Sequence, residues 1–332
     1  MVNILGVIGI VMMLYFGKSF LLPVVVATFF WYLTKAIALY FRKVVRSGFL
    51  SYVLSGASIL GVVYFFLAQI KPMLMDLYVK MPEITAGMER WLADLSDLIG
   101  TEITFAGMPG VNQILTEIGS AVAGVGAIIL MILVYVIFIF IEQGTFDNKF
   151  RALFPDKKQS KKFSMIVKMI DSHMKKYLVV KTCLCFATAV FSYIGLLILG
   201  VDFAIVWAFF IFLLTYIPTI GSVMAGAMPT LYVFALTGEI QTPIMIAVWI
   251  AFVNLIFGNI LEPKLTGRSL NLSALAILIN MMFWGTLWGA IGMFFSVPIM
   301  VMIYVASAQF DKTRWISVLL SANGEIPGKN EE

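Results

Sequence analysis

Apolar residues in this chain fall in long runs, broken at intervals by short charged clusters. Residues 269–310 contain no Asp, Glu, Lys or Arg, and neither do residues 203–238. Roughly 20 apolar residues span the ~30 Å hydrocarbon core of a bilayer, so the longer run could cross twice. Charged residues make up 12% of the chain and apolar ones 61%, with a mean hydropathy of +0.99. A soluble domain carries about twice that charge. The pattern predicts an all-α, polytopic helical membrane protein with about eight membrane segments, some of which could be re-entrant or broken hairpins.

The placement of charge sets the expected topology. Ten basic residues fall between Lys149 and Lys181, whereas Lys71 to Glu117 carries three basic and seven acidic residues. Basic loops stay on the cytoplasmic side, so the first stretch reads as inner and the second as outer. The same contrast argues against nucleic acid as the partner of a +5 chain. Residues 1–70 then form N-terminal membrane helices, with apolar runs 2–17 and 19–41 parted by Lys18 and a third run at 47–70. Residues 71–117 form an outer region, 118–141 a membrane helix and 142–181 a basic inner region. Residues 182–310 make a C-terminal transport core, and 311–332 a cytoplasmic tail. The first apolar run lacks the basic flank and small-residue cleavage site of a signal peptide and is expected to be retained.

Both polar regions carry helical stripes. Leu77, Met81, Ile84, Met88, Trp91, Leu95 and Leu98 recur at spacings of four and three, predicting an amphipathic outer helix interrupted at Pro82. On the inner side, Phe163, Ile166, Val167, Ile170, Met174 and Tyr177 face away from Lys161, Lys162, Lys168, Lys175 and Lys176. That predicts a helix resting on anionic lipid headgroups, with His173 as a solvated surface residue.

Two charge-free runs carry internal breaks. In 203–238 the break is Tyr216-Ile-Pro-Thr-Ile-Gly221, where Pro218 removes a donor and Gly221 permits a turn. In 269–310 it is Trp284-Gly-Thr-Leu-Trp-Gly-Ala-Ile-Gly292, whose Gly285 and Gly289 form a GxxxG spacing. Charge places the ends of the first run outside and those of the second inside. If re-entrant, the two tips approach the midplane from opposite faces, as broken helices do in many secondary transporters. The plain alternative is a pair of ordinary hairpins packed for stability.

Polar residues within the apolar segments are few. Asn254, Gly258 and Glu262 recur at four-residue spacing, and Asn259 lies close to that face. A carboxylate at the membrane is a functional candidate by default, and Lys264 and Arg268 stand near enough in sequence to pair with Glu262. Cys183 and Cys185 lie in an apolar segment without His or acidic neighbours, so neither a disulfide framework nor a metal site is expected. Gly17-Lys-Ser19 has Met12 where a P-loop requires glycine, and no hydrolase or metalloprotease signature is present. No enzyme activity and no cofactor are expected.

The segment Gly258-Asn-Ile-Leu-Glu-Pro-Lys-Leu-Thr-Gly-Arg-Ser-Leu270 resembles the signature of the autoinducer-2 exporter family of bacterial transporters. So do Phe283-Trp-Gly-Thr-Leu-Trp-Gly-Ala-Ile-Gly-Met-Phe-Phe-Ser-Val-Pro298, Leu199-Gly-Val-Asp202 and Tyr216-Ile-Pro-Thr-Ile-Gly221 with Pro229. The resemblance covers about 150 C-terminal residues by motif and the N-terminal half by layout only. It implies a multi-pass bacterial inner-membrane protein that assembles from identical subunits. It also implies export of the furanosyl signal autoinducer-2 or, in other members, monovalent cation/proton antiport. Pro218, Gly221, Asn259, Glu262, Pro263, Gly267 and Pro298 match the family pattern. Many members carry an acidic residue just before the Gly-Asn pair, where this chain has Phe257.

The first expectation is therefore a gradient-driven exporter of a small polar solute bearing on quorum sensing. Its pathway would run past Pro218, Gly221, Asn254, Asn259, Glu262, Gly285 and Gly289. Cation/proton antiport is the alternative within transport, and a non-transporting membrane scaffold the alternative outside it.

Overall fold

The computed structural model describes residues 2–100, 128–153, 157–266 and 271–326. All elements among them are helical, apart from one isolated bridge between Leu272 and Ser321. In chain order they are α1 (Val2–Phe16), α2 (Lys18–Phe41), α3 (Gly48–Ile99), α4 (Ile128–Glu142), α5 (Phe146–Leu153), α6 (Lys157–Ile198), α7 (Ala204–Leu214) and α8 (Ile220–Thr237). There follow α9 (Gln241–Asn254), a π-helix (Leu255–Leu261), α10 (Glu262–Thr266), α11 (Ala274–Ala308) and α12 (Arg314–Leu320). Six helical stretches are long and apolar enough to span a bilayer, and α4 and α7 are shorter apolar helices. The protein is a polytopic helical membrane protein.

Several helices run further than the hydropathy pattern suggests. Helix α3 continues through both Pro72 and Pro82 to Ile99, so the break expected at Pro82 does not occur. A proline removes one helical hydrogen bond, and the turns on either side of Pro82 carry the helix across the gap. The inner amphipathic stretch and the following crossing are likewise one 42-residue helix, α6. Of its apolar face Ile166, Met174 and Tyr177 are buried, Phe163 and Ile170 half-buried and Val167 exposed, while Lys161, Lys162, Lys168 and Lys176 are exposed. His173 is half-buried, its Nδ1 lying 2.8 Å from the Met169 carbonyl oxygen one turn back. Most side chains of the outer stripe, and residues 101–127 and 267–270, lie outside the described set.

The chain divides into two compact units. One comprises Met1–Gly56, Ala127–Thr182 and Glu262–Glu332. Here Phe29 meets Phe294 and Phe295 edge-on at 5.5 and 5.3 Å, and Trp31 donates to Gln143 at 3.2 Å. Ser317 joins α12 to α11 by donating to the Tyr304 carbonyl oxygen at 2.6 Å.

The other unit comprises Ala57–Gly126 and Cys183–Leu261. Its core gathers Met73 of α3, Leu196 of α6, Trp207 and Ile211 of α7, Tyr232 and Val233 of α8, and Ile246 and Ile250 of α9. Lipid tails are as apolar as leucine, so close packing rather than water exclusion holds such helices together. Gly195 illustrates this. A Cβ there would sit 2.0 Å from the Trp249 indole nitrogen, which instead donates to the Phe191 carbonyl oxygen at 3.0 Å.

Candidate transport site

Both interrupted runs are helical hairpins, each within its own unit. In the first, Gly200 and Phe203 take positive φ (69° and 55°), turning the chain into α7. Helix α7 has 11 residues and α8 has 18, so the limbs are unequal rather than matched. At about 1.5 Å per residue α7 rises about 16 Å, roughly half of a ~30 Å hydrocarbon core.

The turn between these limbs is strained. Thr219 has φ 60° and ψ −65°, and the Ile220 N–H donates to the Pro218 carbonyl oxygen at 2.6 Å. That is a positive-φ γ-turn, uncommon in general and costly for a β-branched residue. Gly221 follows at once. A Cβ there would lie 1.8 Å from the Leu214 carbonyl oxygen, so only glycine lets the second limb start this close to the end of the first.

The second hairpin repeats the device. Gly289, at φ 67° and ψ −149°, breaks α11 in a region of backbone space that is essentially glycine-only. The chain then folds back on itself, and Asn280 bridges the limbs. Its Nδ2 donates to the Ser296 carbonyl oxygen at 2.7 Å, and its Oδ1 accepts from Trp284 Nε1 at 3.1 Å. A Cβ on Gly292 would lie 2.0 Å from the Trp284 carbonyl oxygen. The GxxxG pair splits by role. Gly285 faces the Met293 side chain across the hairpin, whereas Gly289 has nothing within 4 Å and supplies the turn.

The signature segment takes a form that a four-residue spacing does not reveal. Helix α9 gives way after Asn254 to the π-helix Leu255–Leu261, which contains Gly258 and Asn259. Its i→i+5 bonding widens the turn, so Asn254, Gly258 and Glu262 no longer repeat on a regular α-helical face. Gly258 within the run and Pro263 just beyond it are the sequence signals for such a departure. Asn254 is half-buried and Asn259 exposed, and neither amide makes a side-chain hydrogen bond among the described residues. Pi-helical turns occur disproportionately at functional sites.

Glu262 opens α10 and meets Lys181, an unexpected partner. Lys181 Nζ lies 2.7 Å from Glu262 Oε1 and 2.8 Å from Oε2. The lysine side chain is 4% exposed and the glutamate 28%. Lys264 is exposed, and Arg268 lies outside the described residues. No local pattern marked Lys181 out, because it closes the basic stretch of α6, where a string of solvated lysines precedes it.

The structure thus brings Pro218 to Gly221 at one strained turn and Gly285 to Gly289 in one hairpin, and it places Asn254 at the end of α9 and Asn259 in the π-helix that follows. It gives Glu262 a buried cation. Among the described residues, no group of three or more His, Cys, Asp or Glu is arranged to hold a metal ion.

Residues 4–312 match the model of the AI-2E family transporter. The AI-2 transport protein TqsA of Escherichia coli (strain K12) is 35% identical over 216 residues, 65% of this chain and 60% of TqsA. YhhT of the same strain, provisionally named a transport protein, is 37% identical over 123 residues, 37% of this chain and 35% of YhhT. A protein of Borreliella burgdorferi (strain ATCC 35210 / DSM 4680 / CIP 102532 / B31) with a similar provisional name is 27% identical over 260 residues, 74% of this chain and 68% of the relative. The aligned region therefore spans less than two thirds of the length of TqsA and of YhhT. With the family match extending over nearly the whole chain, this multi-pass membrane protein belongs to the AI-2E transporter family.

Proposed function

We propose that the protein is a gradient-driven exporter of a small polar solute, with autoinducer-2 as the first solute to test, and that it works in a bacterial inner membrane. The observation that carries this reading is the π-helix Leu255–Leu261 running into Glu262, whose carboxylate is gripped by the buried Lys181. The exposed amide of Asn259, which makes no side-chain hydrogen bond among the described residues, can both donate to and accept from solute hydroxyls. A carboxylate that exchanges a buried ammonium for a proton gives export a means of coupling to a proton gradient. The turns at Pro218–Gly221 and Gly285–Gly289 would line the pathway, with Asn254 beside it. Helix breaks that free backbone groups are tolerated at membrane depth where they line a polar cavity. The family match, and the resemblance to a relative named for AI-2 transport, favour transport over a scaffold role.

Monovalent cation/proton exchange is the second reading. It is favoured by the Lys181–Glu262 pair itself, since a lysine can hold a carboxylate charge that a transported cation would otherwise neutralise. Assembly from identical subunits and contact with lipid headgroups through the exposed lysines of α6 belong to the same proposal.

The test is export of autoinducer-2 from cells lacking their own exporter, comparing the wild type with Glu262→Gln and with Lys181→Gln/Glu262→Gln at matched membrane abundance. Wild-type export lost in both variants supports the reading. Unchanged intracellular signal with the wild type removes autoinducer-2 as solute and makes cation/proton exchange in vesicles the deciding assay.

A further inference from the structure

Trp207 on α7 and Tyr232 on α8 face each other across the first hairpin, their rings 5.1 Å apart at 49°. They are 6% and 8% exposed. Among the described residues, neither the indole Nε1 nor the phenol Oη has a hydrogen-bond partner. Buried polar atoms are almost always satisfied, so two adjacent exceptions call for a cause. Four other tryptophans sharpen the contrast. Trp31 donates to Gln143, Trp249 to Phe191, Trp284 to Asn280 and Trp288 to Leu14, at 3.0 to 3.2 Å.

Charged groups stand beside this pair, in the same unit. Lys80 Nζ on α3 lies 2.9 Å from Asp76 and 3.3 Å from Asp202, the residue just before the turn into α7. All three are within electrostatic reach of the Tyr232 hydroxyl. Met73, one turn before Asp76 on α3, packs in the same core as both rings. The region thus offers an aromatic face, two donors without acceptors, and two carboxylates bridged by a lysine. Sugar-like solutes are bound by this set of groups: a ring for the apolar face of the molecule, N–H and O–H donors for its oxygens, and carboxylates for its hydroxyl protons.

We propose that Trp207 and Tyr232 form a binding subsite for a small polyhydroxylated solute, closed over by the Asp76–Lys80–Asp202 bridge. The indole N–H and the phenol hydroxyl donate to solute oxygens. Asp76 and Asp202 accept from solute hydroxyls once the bridge opens. The subsite deepens the solute-export reading and rests on it, but it uses neither Glu262 nor Asn259 and can fail separately.

The experiment uses the full chain in lipid nanodiscs, wild type and Tyr232→Phe, with autoinducer-2 and D-ribose as separate probes. Binding is read as a concentration-dependent rise in unfolding temperature. Autoinducer-2 export from cells is measured in parallel. The expected result is saturable stabilisation of the wild type by at least one probe, with half-saturation about tenfold higher in Tyr232→Phe. The ligand-free variant should unfold at the same or a higher temperature, since it loses only an unpaired hydroxyl. Equal half-saturation in the two proteins overturns the subsite, as does the absence of stabilisation of the wild type by either probe. Wild-type export with half-saturation unchanged in Tyr232→Phe overturns the subsite and leaves the exporter reading standing. Ribose binding weakened by Tyr232→Phe in a wild type that exports no autoinducer-2 removes that solute and leaves the subsite standing. Trp207→Phe serves as the second variant and should weaken the same probe.

Discussion

Lys181 donates to both carboxylate oxygens of Glu262, at 2.7 and 2.8 Å, across 81 positions of sequence. An ammonium buried this deeply relies on that partner. Removing one member of a buried pair leaves an uncompensated charge and costs about 3–5 kcal/mol, whereas removing both together costs far less. Glu262→Gln should therefore lower the unfolding temperature of the purified protein, and Lys181→Gln/Glu262→Gln should recover most of the loss. Additive losses would show that the two side chains do not depend on each other. The comparison also tells a folding defect from a transport defect, because only the double variant removes the charge without stranding its partner.

Gly289, Gly292 and Gly285 lie within one hairpin but should respond differently to alanine. Gly289→Ala forces a side chain into glycine-only backbone space, costing about 1–3 kcal/mol. Gly292→Ala drives a methyl into the Trp284 carbonyl oxygen, which is backbone and cannot step aside. Gly285→Ala meets only the flexible Met293 side chain. The expected order of monodisperse yield is Gly285→Ala well above the other two. Equal yields would refute the assigned roles.

Thr219 holds positive φ without being glycine. Thr219→Gly should raise stability by up to about 1 kcal/mol, because glycine adopts this turn without the Cβ penalty. If the strain serves the transport cycle, the more stable variant will transport more slowly. Thermal unfolding and export measured on the same preparations check both halves. A destabilised Thr219→Gly variant would contradict the strained turn.

Gly195→Ala should act through Trp249. The added methyl overlaps the indole and forces it off the Phe191 carbonyl oxygen, costing about 1–3 kcal/mol. Emission from Trp249 should change along with the unfolding temperature. Trp249→Phe should partly relieve the clash when combined with Gly195→Ala.

The sequence was most informative where local chemistry decides the outcome. Pro218 with Gly221, and the glycines Gly285, Gly289 and Gly292, marked both turns, because a missing donor beside a turn-permitting glycine, or a glycine-only backbone angle, ends a helix locally. Pro82 misled for the converse reason, since neighbouring turns can carry a helix past one missing bond. The π-helix was half-legible: Gly258 and Pro263 signal a weak point, but no period separates a five-residue bond from a four-residue one over seven positions. Lys181 could not be found by pattern, because its meaning comes from Glu262, remote in sequence and brought to it only by the fold. The indole of Trp207, unpaired among the described residues, was equally hidden, since satisfaction of a donor is a property of neighbours rather than of residue type.

The short first limb of the hairpin 204–237 bears on the electrical profile of the membrane. If this limb enters from one membrane face, its turn lies about 16 Å deep, and backbone groups there, which lipid cannot satisfy, need water or polar protein as partners. A wet recess conducts, and the transmembrane voltage then falls mainly across the insulating remainder, roughly half the usual thickness. The local field is correspondingly about twice as steep, at about 2.3 kcal/mol per elementary charge for each 100 mV traversed in full. In that arrangement a charge moved inward from the Thr219 turn would cross most of that drop over the remaining half of the membrane.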